Sequence, residues 1–282
     1  MKTYEWSDKP ALPIPGCKGA VARVLGLLLL LTAASPRLSA QIAPDPPPAT
    51  NPAAAPDPGR QVEWKSLLPN VWQDQKQVWL FPKKLNRRKV LWPTLAVIGT
   101  AAGLVALDPI DAPYFRKTTA FSGFNNTFSG TATVWGTVAV PVLLYTAGLA
   151  TKDKKMKSTA MLVGEAVGDV EILTTVLKDA TQRTRPAAIG AGQNYSDTWF
   201  DSGGSFLRGH GSFPSGHTIA AFSVATVISR RYGNHKWVPY AAYGLAAVVG
   251  FSRITLSAHF ISDVFIGGAL GYSISRFAVL HE

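Results

Sequence analysis

From residue 90 to residue 280 the chain is dominated by six apolar segments whose pattern leaves helix as the regular structure open to them. They cover roughly residues 90–107, 133–150, 158–177, 217–230, 237–251 and 259–280. None alternates apolar and polar residues with the period of two that a half-buried strand requires. Most are rich in Ala, Gly, Val and Leu, and small residues let helix backbones approach closely. An all-α fold, a six-helix bundle, is therefore the expected class. The third segment carries Glu165, Asp169 and Glu171. Carboxylates are costly in lipid, so these must turn inward if that segment spans a membrane.

The 282 residues are 47% apolar and 16% charged, richer in apolar and poorer in charged residues than an ordinary soluble domain. The mean hydropathy of +0.12 is modest for a chain that mostly faces lipid. The bundle is expected to be membrane-embedded or membrane-associated. The net charge of +11 suits nucleic acid, anionic lipid or an anionic substrate. No nucleic-acid motif is present, and the basic residues gather at the ends of apolar segments, as membrane topology would place them. Cys17 is the single cysteine, which excludes a disulfide framework and a thiolate metal site.

Four regions follow. Residues 1–40 read as a signal peptide or N-terminal leader, with basic residues ahead of an apolar run and Ala40 placed for cleavage. Residues 41–60 are a Pro/Ala-rich linker. Residues 61–89 hold Trp64, Trp72 and Trp79 and end in a basic run, an interfacial or peripheral segment. Residues 90–282 hold the six helical segments and form the main domain.

If the six helices alternate in direction, the basic groups at 83–89, 152–157 and 230–236 share one side. The polar motifs described next then share the other. The positive-inside rule makes the basic side cytoplasmic and the motif side outward, periplasmic in a bacterial-type envelope. A cleaved leader conflicts with this, because it would export residues 41–89. An exported globular bundle is the alternative.

Three motifs carry the chemistry: Lys178-x6-Arg185-Pro186, Pro214-Ser215-Gly216-His217, and Ser252-Arg253-x5-His259-x3-Asp263. His259 and Asp263, four apart, share one face of a helix, and a carboxylate on one imidazole nitrogen raises the basicity of the other. That prepares a nucleophile; the plain alternative is an ordinary i,i+4 pair. Lys178, Arg185 and Arg253 are long cations suited to phosphoryl oxygens, with Arg183 a further cation of unassigned role. The Ser215-Gly216 turn opens a helix whose N–H groups can cradle an anion, and His217 is placed as general acid. Ser215 reads equally as an N-cap. The long loop at 187–213 offers Trp199, Phe200, Phe206, Arg208 and His210 either to substrate entry or to a plain surface.

In order and spacing these motifs resemble the signature of the type 2 phosphatidic acid phosphatase (PAP2) superfamily, which includes class A acid phosphatases and vanadium haloperoxidases. The resemblance implies a PAP2-like bundle and a two-step hydrolysis without metal or cofactor. His259 would form a phosphohistidine, oriented by Asp263. Lys178, Arg185, Ser215, Gly216 and Arg253 would hold the phosphoryl oxygens, and His217 would protonate the leaving oxygen. The implied substrate is a lipid phosphate or other phosphate ester. The alternatives are a soluble broad-range acid phosphatase, a vanadium haloperoxidase and a non-catalytic lipid-phosphate-binding protein. The oligomeric state is not legible.

Overall fold

The computed structural model describes residues 60–190, 192–201 and 209–281. The leader and nearly all of the linker lie outside the described residues, as do Phe206 and Arg208. Among the described residues there are eight α-helices and no strands. They are α1 (Leu67–Trp79), α2 (Arg88–Lys117), α3 (Ser122–Thr127), α4 (Gly130–Ala150), α5 (Lys154–Thr181), α6 (Gly216–Arg231), α7 (Trp237–Thr255) and α8 (Ile261–Ile274). All six expected helices are present as α2 and α4–α8; α1 lies within the peripheral segment 61–89, and α3 is added.

Helix ends differ from the expected ones for local reasons. α2 continues ten residues past Leu107, through Pro109 and Pro113. Each proline removes one backbone donor, but Asp108 and Ala112 are buried, so tertiary contacts hold this stretch. α4 starts early at Gly130, where Ser129 accepts from Ala132 N. α5 is capped by Asp153, which accepts from Met156 N, and ends at Gln182 in the left-handed region. α8 starts late, at Ile261, and passes at Ser275 into a π-helical turn.

α6 is the central helix, packed against α5, α7 and α8. Leu162, Val163 and Ala166 of α5 meet Val224 and Val227 of α6. Farther along, Val170 and Leu173 meet Ile219 and Ile274. α8 approaches α6 almost backbone to backbone. A Cβ on Gly271 would lie 2.3 Å from the Ile219 carbonyl oxygen, and one on Gly267 would lie 2.9 Å from the Ser215 carbonyl oxygen. This Gly-x3-Gly spacing is the small-residue route to close helix packing, and it brings the start of α8 beside the start of α6.

The two ends of the α5–α6 pair differ in chemistry. Lys178 closes α5 and Gly216 and His217 open α6, so these share one end. At the other end Lys155 sits 4.8 Å from the Tyr232 ring and Arg231 donates to Thr159 Oγ1. Among the described residues, α2 and α4 are the two helices long and apolar enough to cross a membrane.

Candidate active site

The third motif is built on a chain reversal rather than on one helix face. After α7 the backbone turns at Ser257 (φ 51°). Ala258 N and His259 N both donate to the Arg253 carbonyl oxygen. His259 thus precedes α8, which corrects the expected helix over 259–280. Asp263 sits in the first turn of α8, and its Oδ2 accepts from Phe260 N at 2.9 Å. A carboxylate there caps a helix start and meets the positive end of its dipole.

His259 is 3% exposed. Its Nδ1 lies 2.6 Å from the Ser212 carbonyl oxygen, which can only accept. Nδ1 therefore carries the proton, and Nε2 holds the free lone pair. Asp263 Oδ2 is 3.8 Å from Nδ1, too far for the direct hydrogen bond the sequence suggests. Ser212 stands between them, its Oγ donating to Asp263 Oδ2 at 2.5 Å. Asp263 acts on the imidazole through its charge and through Ser212.

Arg183, left unassigned by sequence, is the most connected cation. It is 1% exposed. Nη1 donates to Asp263 Oδ1 at 2.6 Å and to Ser262 Oγ at 2.8 Å. Nη2 donates to Asp108 Oδ2 at 2.6 Å, and Nε donates to Thr198 Oγ1. Its guanidinium lies 4.4 Å from the Trp199 ring and 4.0 Å from the Phe260 ring. Trp199 therefore covers Arg183, while Phe200 is exposed. Asp108 also accepts from Ser262 N and Oγ. Asp108, Ser212 and Ser262 belong to no motif. Their signal in sequence was faint: one acid ending an apolar run, and serines beside motif residues.

His217 and Arg253 meet at the start of α4. His217 Nε2 is 3.2 Å from the Gly130 carbonyl oxygen. Arg253 is buried, and its Nη2 donates to the Phe128 carbonyl oxygen. A Cβ on Gly130 would lie 3.5 Å from Arg253 Nη1 and 4.0 Å from His217 Nε2. Ser215 takes the N-cap position of α6, yet its hydroxyl pairs with Thr218 Oγ1 at 2.8 Å instead of capping. Its N–H donates to the Asp263 carbonyl oxygen. Lys178 reaches over this turn, its Nζ 3.5 Å from where a Gly216 Cβ would stand. Arg185 is exposed.

Electrostatics tie these residues into one region. Burial lowers the His217 pKa to about 4, helped by the charges of Arg253, His259 and Lys178. Burial also lowers that of His259, with Arg185 and Lys178 adding to the effect and Asp263 opposing it. Burial lowers that of Lys178, with Arg185 adding to it. An anion placed among these groups would favour their charged forms.

Residues 158–281 match the family model of the PAP2 superfamily. Over these residues the chain resembles that superfamily. It is 44% identical over 66 residues to the lipid A 1-phosphatase of Porphyromonas gingivalis, covering 23% of this chain and 15% of that protein. It is 29% identical over 128 residues to the lipid A 4'-phosphatase of the same organism, covering 44% of this chain and 52% of that one. Phosphatidylglycerophosphatase B of Bacillus subtilis is 35% identical over 112 residues, 37% of this chain and 48% of the relative. The chain thus spans about half or less of the length of these relatives. A transmembrane PAP2-type phosphatidylglycerolphosphate phosphatase from B. subtilis, known from a crystal structure, aligns over 76% of this chain and 92% of its own at 18% identity and a TM-score of 0.40.

Proposed function

We propose that this chain is a PAP2-type phosphatase that hydrolyses lipid phosphate monoesters or pyrophosphates through a phosphohistidine. The observation that carries the reading is the state of His259. Its Nδ1 proton is committed to the Ser212 carbonyl, so Nε2 is a free base among Lys178, Arg185 and His217. A nucleophile beside fixed cations is what attack on a phosphoryl group requires.

Nε2 forms a bond to phosphorus as the bond to the leaving oxygen breaks. That oxygen takes its proton from His217. Water then attacks phosphorus, gives a proton to His217, and releases phosphate as the N–P bond breaks. Lys178, Arg185 and Arg253 hold the equatorial oxygens with the first N–H groups of α6, which have no carbonyl one turn earlier. His217 is neutral when the site is empty, since burial and, after it, nearby cations oppose its charge. A dianionic phosphate offsets these costs with its own charge, so substrate binding loads the general acid.

The lipid character of the substrate is supported by the names of the relatives and by the apolar helices α2 and α4. The outward orientation is supported by basic side chains at the end of α5 and α6 opposite the motifs. The test is phosphate release with EDTA present, by wild type and His259→Ala, on phosphatidic acid, a polyprenyl pyrophosphate and p-nitrophenyl phosphate. Release confined to the wild type and to the lipids is expected. Release that survives His259→Ala overturns the nucleophile, and equal rates on p-nitrophenyl phosphate favour a broad acid phosphatase.

A further inference from the structure

α1 carries large apolar side chains on its open side as well as on its packed side, where Leu67 and Val78 meet the core. That packed side also carries polar groups: Asn70 donates to Glu165 at 2.9 Å and Gln75 to Asp169 at 2.9 Å, and Asp74 is fully buried. On the open side, Leu68 is 82% exposed, Trp72 67% and Trp79 48%. At about 100° per residue these three fall within about 40° of one another. A water-soluble surface helix keeps its large apolar residues to the core side and has no second apolar stripe facing outward.

The chemistry around this face says what covers it. Lys76 stands 5.1 Å from the Trp72 ring, its charge at the edge of the apolar stripe. Leu80 and Phe81 continue the exposed apolar surface. Lys83, Lys84, Arg87, Arg88 and Lys89 follow, all exposed, with no acidic residue between them. Arg88 and Lys89 already open α2, whose most apolar stretch has none of its residues buried. Tryptophan rings beside lysine and arginine, directly ahead of a span-length apolar helix, suit the boundary between acyl chains and headgroups. A row of uncompensated cations selects an anionic surface.

We propose that α1 and the basic turn after it form an interfacial anchor on an anionic lipid bilayer. Leu68, Trp72 and Trp79 enter the outer acyl region. The polar contacts to α5 hold the helix from behind, and the 83–89 cations engage lipid phosphates. This role is independent of the reaction at His259.

The test uses the full chain carrying Cys17→Ser, reconstituted in phosphatidylglycerol-containing vesicles, with a nitroxide at Leu68→Cys, Trp72→Cys or, as a reference on the polar flank, Gln73→Cys. Labels at 68 and 72 should be more accessible to oxygen than to a water-soluble nickel chelate, with the order reversed at 73. Exchanging phosphatidylglycerol for phosphatidylcholine, or introducing Lys83→Gln with Lys84→Gln and Arg87→Gln, should move the label at 72 toward water. Nickel access at 68 and 72 overturns the proposal, because the face is then in water. Protection from both reagents in vesicles and detergent alike also overturns it, because residues 1–59, a second copy or another protein then covers the face. No shift with headgroup charge overturns the choice of an anionic surface. Should the cysteine variants fail to fold, lipids brominated along their chains should quench the unlabelled chain's fluorescence, and Trp72→Phe with Trp79→Phe should reduce the quenched share; an unchanged share overturns the proposal.

Discussion

Arg183 and Asp263 form a buried ion pair, Nη1 to Oδ1 at 2.6 Å, whose other arm reaches Asp108 on α2 at the same distance. One guanidinium thus joins the carboxylate behind His259 to a helix that supplies none of the motifs. Removing one partner of a buried pair leaves the remaining charges without solvent or counter-ion. Arg183→Met should therefore cost about 3–5 kcal/mol of stability. Thermal unfolding in detergent measures this, and a loss no larger than that of an exposed substitution such as Lys65→Met would show that the triad is not structural.

Ser212 links Asp263 to the turn that holds His259 through its hydroxyl, while its backbone carbonyl takes the imidazole proton. Ser212→Ala deletes the first contact and keeps the second. A hydrogen bond to a charged group contributes about 1.5–3 kcal/mol. If that much acts on the transition state, kcat should fall between about 10-fold and 100-fold with KM little changed. Steady-state phosphate release reads the split between the two constants.

His217 should take up a proton when an anion enters. Its pKa is lowered to about 4 in the empty site, and a dianion raises it. Between that value and the raised one, inorganic phosphate binding should draw a proton from buffer. Titration calorimetry in buffers of different ionisation enthalpy detects it. His217→Asn should remove the extra uptake, the ligand's own protonation being common to both proteins.

The same shift has a stability consequence of opposite direction in pH. A histidine with a depressed folded pKa stays neutral while the unfolded chain protonates near pH 6.5. The contribution of His217 and His259 is thus complete above about pH 6.5 and is lost as pH falls toward their depressed values. Tm should drop between neutral and mildly acidic pH, and His217→Gln should flatten the drop.

Two glycine substitutions should part stability from binding. At Gly271 a Cβ meets backbone at 2.3 Å, so Gly271→Ala must push α8 from α6 and cost about 1–3 kcal/mol. At Gly130 the nearest atoms stand 3.5 Å away, on Arg253. Gly130→Ala should fold normally but occupy space beside His217 and raise KM. Unfolding curves and KM values for both variants test the contrast.

The sequence by itself determined helix class, the approximate place of six helices and the three motifs, because apolar period and residue type are local properties. Tertiary structure decided what joins them. The place of His259 ahead of α8 depends on the turn at Ser257 and on the carbonyl of Arg253, not on the i,i+4 spacing to Asp263. The tautomer of His259 depends on a backbone carbonyl 47 residues away. Arg183 looked like a spare cation because its partner Asp108 lies 75 residues earlier, at the end of an apolar run where helix α2 was expected to have stopped. The face α1 turns outward was undecided too, since Asn70 and Gln75 have their partners on α5. Spacing along a chain fixes which side chains share a helix face, but a buried charge finds its counter-charge only when separate helices close around it.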